Sequence, residues 1–296
     1  MKTLFVYFMV KLLLQFPGLF SDGTRFYPSD VAIVESSTPT VLNIKIVTFN
    51  VLVEIEEKNG ISSWDDRKQL CAKILEKSDA DFIGLQEPTP WQVSYLNKQL
   101  PVYDVLYFKK NIVHFTDVVL MYRSDKYDLI EHGWWWLSPE PQRPSLGFGN
   151  DFPRILIWGK FRHIESGREI FVMNTHFDNT MPSQSRMAEL NTKMLKKLTN
   201  TGLPIVLMGD FNTDPTRGRY DLLVSNGWND AYLSSEKSSE TGLDNNVPTA
   251  FGRTRIDHIL YFGDTIIANG WKRIESTDPQ KKLSDHWPVF TELIIH

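Results

Sequence analysis

The chain has 296 residues, 42% hydrophobic and 12% aromatic, enough to build a sizeable core in one large domain or two small ones. Its 32 basic and 36 acidic residues give a formal net charge of -4, which excludes nucleic-acid binding through bulk positive charge but leaves room for a local basic groove or for phosphate handled through a metal. Cys71 is the one cysteine, so neither an internal disulfide nor a multi-cysteine zinc or iron–sulfur site can form.

Met1 to Phe20 open with Lys2 and continue as an apolar run that Pro17 and Gly18 break. This pattern fits an export signal over residues 1–21, with an uncleaved N-terminal anchor and a buried first helix as rival readings. Lys11 interrupts the run, which is marginal for a hydrocarbon core of ~30 Å. A secreted or periplasmic protein is expected, membrane-anchored if the leader stays. Residues 22–40, rich in Ser, Thr, Pro and Asp, read as a linker, and 41–296 as one domain.

From Val41 the text becomes β-branched and alternating, which predicts a strand ending at Asn50. A helix follows over residues 65–80, with Leu70, Ile74 and Leu75 on one face. DFIGLQE predicts a strand ending at Glu87, and residues 91–100 a helix with Pro90 just before it. VVLMYR reads as a short buried strand. ILIWGKFRH and EIFVMNTHFD predict a hairpin around Glu165, Ser166 and Gly167. Residues 187–199 predict an amphipathic helix, LPIVLMGDFN a strand, and RIDHILYF and HWPVFTELII two late strands.

Strands with apolar bodies keep ending in polar chemistry: Asn50, Glu87, His176 with Asp178, Asp210 with Asn212, and Asp257 and Asp285 beside histidines. Ordinary turns do not need this, so one sheet edge is expected to carry a site. Carboxylates and amides without thiols suit Mg²⁺ or Mn²⁺. Glu87, set before Pro88, is the best single ligand candidate on these grounds, against the plainer reading of a surface turn acid. In GDFN, Asp210 can orient and deprotonate a water and Asn212 can hold an anionic oxygen, unless the segment is only an Asx-rich turn. His176 and Asp178 are expected on one face of a strand, and Asp257 is expected to orient His286 from a neighbouring strand. Arg154 and Arg186 could each clamp a phosphate, though Arg186 reads equally well as a solvated residue at a helix start. Trp134–Trp136 with Phe148 could form an aromatic platform for a base or lipid; a half-buried strand is the plainer reading.

In order, TFNVL, LQE, PRILIWGKF, NTHFDN, GDFNTDP, RIDHILYF and SDHWPV resemble the motifs of the endonuclease/exonuclease/phosphatase superfamily, over Thr48 to Val289. Within it the chain looks most like compact secreted or periplasmic bacterial members. The resemblance implies a four-layer αββα sandwich, an α/β fold of two packed mixed sheets flanked by helices, with the site at one end. It implies Asn50 and Glu87 at a Mg²⁺ or Mn²⁺ ion, Glu87 as direct ligand, with Asp285 helping to hold the metal or its waters. Asp210 would orient the attacking water and Asn212 would bind the phosphate. His286, paired with Asp257, would polarise a phosphate oxygen or act as general base. His176 would stabilise the transition state, with Asp178 and Arg154 supporting the phosphate pocket. Two positions depart from the family pattern. Relatives often carry a glutamate before the strand that here reads DVVLMY, where this chain has Thr116–Asp117; either Asp117 substitutes or His176 lacks that partner. Asn179 stands where the family's NTHxDH has its second histidine.

The expected activity is metal-dependent hydrolysis of a phosphate ester, a phosphodiester before a monoester. Nucleic acid and phospholipid are candidate substrates, and a monomer without an obligate protein partner is expected. An inositol-phosphate phosphatase, a sphingomyelinase-like enzyme wedging Trp134–Trp136 into lipid, and a catalytically inactive phosphate-binding module are the alternatives.

Overall fold

Side chains alternate along a strand, so Ile44, Ile46, Thr48 and Asn50 share one face of β1 (Leu42–Asn50), and Val47 and Phe49 share the other. Ile44 and Ile46 join a large apolar cluster, while Val47 and Phe49 join a second one built with helices α1 (Trp64–Ser78) and α2 (Pro90–Gln99). The two helices start where the sequence says they should. Ser63 caps α1 by accepting from the Asp66 amide, and Thr89 and Gln92 form a reciprocal capping box on α2 with Pro90 in its first turn. The computed structural model describes residues 41–54, 60–110, 113–225, 227–235, 247–276, 278 and 282–296. The expected leader and linker lie outside these residues.

Two sheets of six strands result. The first runs in the order β11 (Ile266–Arg273), β12 (Val289–Ile295), β1, β2 (Phe82–Gln86), β4 (Val113–Arg123), β3 (Tyr103–Lys110). The second runs β5 (Tyr127–Trp136), β6 (Ile155–His163), β7 (Glu169–His176), β8 (Ile205–Asp210), β10 (Asp257–Phe262), β9 (Trp228–Asp230). Helices α3 (Ser183–Thr199) and α4 (Gly218–Val224) cover the outer face of the second sheet through Met187, Leu195 and Leu223, and α5 (Ala231–Ser234) packs Tyr232 against Trp271. The cluster containing Ile44 draws on both sheets, with Phe82 and Leu120 from one and Ile157, Val172 and Met208 from the other. The chain therefore forms the expected αββα sandwich, its main core between the sheets, where each fully buried side chain contributes about 2 kcal/mol of transfer free energy.

The inward-facing position at the end of strand after strand is polar: Asn50, Gln86, His176, Asp210 and, at the start of β10, Asp257. Strand pairing brings them to one edge. Parallel β1 and β2 set Asn50 beside Gln86, and parallel β7 and β8 set His176 beside Asp210. Antiparallel β10 sets Asp257 opposite Asp210, and antiparallel β12 sets Val289 opposite Thr48, which leaves Asp285 and His286 at the same edge. Just beneath it the sheets are joined by a buried amide pair. Gln86 Nε2 donates to Asn174 Oδ1 (2.7 Å) and Thr48 Oγ1 (3.0 Å), and Asn174 Nδ2 donates to the carbonyls of Leu85 (2.9 Å) and Val119 (2.7 Å). Gly84 makes room for this pair, since a Cβ there would lie 2.6 Å from Met208 Sδ and 2.8 Å from the Asn174 side chain.

Several expectations need correcting. The strand read as VVLMYR extends to Val113–Arg123, β3, β9 and β11 are additional, and β5 is the strand that the tryptophan run suggested as its plainer reading. In β11 the pair Asn269–Gly270 looks like a turn, yet the strand carries it as an irregularity between Ala268 and Trp271. β2 stops at Gln86 because Glu87 adopts φ +64°. The tryptophan run is core and no lipid wedge: Trp136 is fully buried and meets Phe108 edge-on at 5.2 Å, and Trp135 packs on Trp158. Among the described residues no helix is long and apolar enough to cross a membrane.

Gly209, one residue before the end of β8, has φ +153°, and a Cβ added there would sit 2.1 Å from the Thr175 carbonyl oxygen. Gly209→Ala is therefore expected to cost at least about 3 kcal/mol, read as a lowered denaturation midpoint. A loss below about 0.5 kcal/mol would show that β7 and β8 are not held this closely.

Candidate active site

Asn50 joins the two halves of the site. Its Nδ2 donates to Glu87 Oε1 (3.0 Å) from its own sheet and to Asp210 Oδ2 (3.1 Å) from the other, while its Oδ1 accepts from the Leu52 amide (3.0 Å). In this orientation the nitrogen faces the carboxylates, so Asn50 acts as a donor that links Glu87 to Asp210. Glu87 reaches the cleft because its positive φ turns the chain out of β2, and its Oε2 is 3.5 Å from the Val53 amide. Backbone outside the usual regions costs energy and persists where a side chain must be aimed.

Asp210 is buried on the last residue of β8 and accepts from the Asn212 amide (2.8 Å) as well as from Asn50. Burial opposes its charge, but the neighbouring His286 and His176 and these hydrogen bonds outweigh it and hold the carboxyl below its ordinary range. Asn212 follows in the left-handed region (φ +49°), which asparagine tolerates. Its carbonyl accepts from Gln184 Nε2 (2.8 Å), its Nδ2 donates to the Phe177 carbonyl (2.9 Å), and its Oδ1 accepts from Arg253 Nη1 (3.1 Å). The Asx turn and the site are thus the same object.

His286 Nδ1 lies 2.9 and 3.1 Å from the Asp257 oxygens, and its Nε2 faces Asp210 Oδ2 at 3.7 Å. The expected cross-strand pairing forms, although His286 lies before β12 and not on it. Burial disfavours the imidazolium, but the charges of Asp257 and Asp210 prevail and push its pKa up to about 10. Burial, with the Asp210 charge added, raises Asp257 against the pull of His286.

His176 is buried at the end of β7 with Nδ1 2.8 Å from Arg154 Nη1 and 3.4 Å from Asp117 Oδ1. Burial and Arg154 lower its pKa, Asp117 and Asp210 raise it, and the net direction is up. The contact itself decides the ring's state. A guanidinium can only donate, so Nδ1 accepts and the ring proton sits on Nε2, 3.5 Å from Asp210 Oδ2 and 3.9 Å from Glu87 Oε1. Asp117 occupies the position left open by the departure from the family pattern, bonding Arg154 Nη1 (3.3 Å) as well. Burial alone would raise Asp117, but His176 and Arg154 hold it below its ordinary value.

The remaining expected residues divide. Asp178 lies past the end of β7 and stands behind Arg154, its Oδ2 3.8 Å from Nε and its Oδ1 held by the Thr180 amide (2.9 Å). Asp178 is thus placed to position Arg154 from behind. Asp285 is half-buried, tied to Ser284 Oγ (3.2 Å), and adds negative charge at His286. Arg186 is exposed on α3 and takes no part in the site's hydrogen-bond network among the described residues. Sequence reasoning also missed two arginines. Arg253 holds Asn212. Fully buried Arg67 donates to the carbonyls of Leu283 (2.7 Å), Leu52 (2.8 Å) and Val51, binding the segment after Asn50 to the one before Asp285. An arginine inside the pattern of an amphipathic helix gives no signal of this kind.

The donor set fits a hard divalent cation: Glu87, Asp210, Asp257 and Asp285 offer oxygen, no thiolate is near, and the carboxylates outnumber the cationic side chains facing them. Glu87, with its side chain 29% exposed, can take a cation without breaking an ion pair with lysine or arginine among the described residues. Asp210, Asp257 and His286 also bring one donor atom each within 4.8 Å of one another, but there Asp257 and His286 already satisfy each other.

A sequence model of the endonuclease/exonuclease/phosphatase family matches residues 47–286. A mannosyl-6-phosphatase of Bacteroides thetaiotaomicron VPI-5482 is 29% identical, with 84% of this chain and 99% of that one covered at a TM-score of 0.72. A second solved structure from Bacteroides thetaiotaomicron, an endonuclease/exonuclease/phosphatase family protein, is 28% identical over 86% of this chain and 96% of its own, with a TM-score of 0.74. An uncharacterized protein of Acanthamoeba polyphaga mimivirus is 26% identical over 195 residues, which are 62% of this chain and 72% of the relative.

Removing the Arg154 cation strands two carboxylates, so Arg154→Met is expected to destabilise the fold by about 3 kcal/mol in denaturant titrations. A neutral result would mean that Asp117 and Asp178 do not depend on it. For Glu87 the backbone can be separated from the carboxylate. Glu87→Gly and Glu87→Ala both remove the ligand, but at φ +64° the glycine variant is expected to be the more stable by about 1 kcal/mol. Equal midpoints would argue against the left-handed conformation.

Proposed function

Since the chain belongs to the endonuclease/exonuclease/phosphatase family and is on that ground a phosphoester hydrolase, we propose that it hydrolyses a phosphomonoester on a sugar-like alcohol by in-line attack of water, in a reaction dependent on Mg²⁺ or Mn²⁺. The observation that carries this is the Glu87–Asn50–Asp210 bridge, which sets a free-facing carboxylate beside a buried one at the end of two packed sheets. The sequence alone leaned to a phosphodiester. Similarity to a sugar phosphatase across 99% of that chain moves the reading to a monoester.

Glu87 and Asp285 would hold the cation, which would supply positive charge for the phosphate oxygens. Asp210, kept ionised and fixed from two sides by Asn50 and the Asn212 amide, aims the water and takes its proton as the water oxygen bonds to phosphorus. The ester oxygen leaves on the opposite side. His176 Nε2–H and the Asn212 amide group lie 3.4 Å apart and can both turn toward the equatorial oxygens, with Arg154 behind them. The charge of His286 between Asp257 and Asp210 suits it to donate to a phosphate oxygen through Nε2, the first of the two roles the family resemblance allows, before that of general base. A leader over residues 1–21 preceding a domain of 41–296 goes with export of the enzyme.

Turnover of p-nitrophenyl phosphate with Mg²⁺, with and without EDTA, tests the reading. Asp210→Asn and His286→Gln are each expected to lower kcat by at least about 100-fold with little change in melting temperature. Chelation is expected to abolish turnover and added Mg²⁺ to restore it. Full activity in either variant, or in EDTA, would overturn the mechanism.

A further inference from the structure

Most surface arginines of this protein are neutralised by a carboxylate: Arg123 by Asp79 and Asp125, Arg143 by Glu140, Arg162 by Glu169, Arg217 by Asp214, Arg273 by Glu275. Two arginines beside the site are held differently. Arg253 is exposed and its Nη1 donates to Asn212 Oδ1 (3.1 Å). Half-buried Arg219 donates through Nε to Thr213 Oγ1 (2.9 Å) and touches Met181 through Nη1. Neither forms an ion pair among the described residues. Their anchors are an amide and a hydroxyl, on consecutive residues of the loop that carries the proposed phosphate donor Asn212.

A neutral anchor fixes a long side chain but leaves its charge uncancelled. An arginine ordinarily loses about 2 kcal/mol of rotamer freedom when ordered, and here part of that loss is met before any ligand arrives. The remaining N–H groups keep the planar fork that matches phosphate. In a protein of net charge -4, two such cations anchored on consecutive residues of one loop mark a place suited to an anion. We propose that Arg253 and Arg219 form a second anion subsite beside the reacting phosphate, and that the preferred substrate is a small phosphate ester bearing a second phosphate. The inference rests on the phosphatase reading above and narrows its substrate class.

Calorimetry with Mg²⁺ at low salt, using glucose 6-phosphate and glucose 1,6-bisphosphate as probes, tests it. Wild type is expected to bind the bisphosphate at least about tenfold more tightly. Arg253→Ala and Arg219→Ala are each expected to bring that ratio toward one. Arg217→Ala, whose charge Asp214 already cancels, is expected to keep it. A wild-type ratio near one, or a ratio that survives in the double variant Arg253→Ala/Arg219→Ala, would overturn the subsite. So would tight competition by a single-stranded oligonucleotide without any bisphosphate preference, because the rim would then be reading a polymer backbone. If the ratio behaves as expected and neither sugar phosphate is hydrolysed, the subsite stands and the phosphatase reading falls.

Discussion

An apolar interface between two sheets has no direction of its own, because methyl groups can slide past one another at little cost. A buried amide pair cannot slide without losing its hydrogen bonds in a medium where nothing replaces them. Gln86 and Asn174 are that pair, both fully buried, one from each sheet. Asn174 also spans two strands of the opposite sheet through the Leu85 and Val119 carbonyls. Gln86 pairs with Asn50 and directly precedes Glu87, and Asn174 lies one inward position from His176. It therefore sets how far apart the two halves of the site can be. The 3.0 and 3.1 Å contacts of Asn50 to Glu87 and Asp210 are possible only at this register.

Beyond the bridge the interior becomes electrostatic. Five acidic side chains and two histidines share a small volume, and each is tied to a partner that limits its freedom. Asp257 holds His286, Arg154 holds His176 with Asp117 and Asp178 behind it, and Asn50 and the Asn212 amide hold Asp210. Burial alone would disfavour charge here; neighbouring charges hold Asp210 and Asp117 below their ordinary range and raise His286. Glu87 is the member least committed to a protein cation, which is why the cation is assigned to it. The whole arrangement is fixed before a ligand binds, as electrostatic catalysis requires.

Much of this could be read in the sequence, because alternation and polar strand ends are both local. IKIVTFN states its two faces residue by residue, and the same period leads from Val206 and Met208 to Asp210. The Asp257–His286 pairing was also accessible, since neighbours on one strand cannot face each other. What local pattern cannot show is contact across the sandwich. Arg154, Asp117 and His176 meet from three strands, and only the fold shows that Asp117 takes the partner's place. The role of Arg186 stays open in the sequence because a basic residue at a helix start looks the same whether its face is turned to the cleft or to water. Strand β11 was hidden by Asn269–Gly270, a turn signal absorbed by an irregularity, and the positive φ of Glu87 leaves no trace in a strand-then-proline pattern.

The central claim is that the polar edge of the sandwich gathers around one divalent ion bound at Glu87. Anomalous scattering from a crystal soaked in Mn²⁺ addresses it directly. The account predicts a peak within about 2.2 Å of a Glu87 carboxylate oxygen, on the cleft side facing Asp210. A peak confined to Asp257 and His286 with Glu87 bare, or no peak at saturating Mn²⁺, would contradict it.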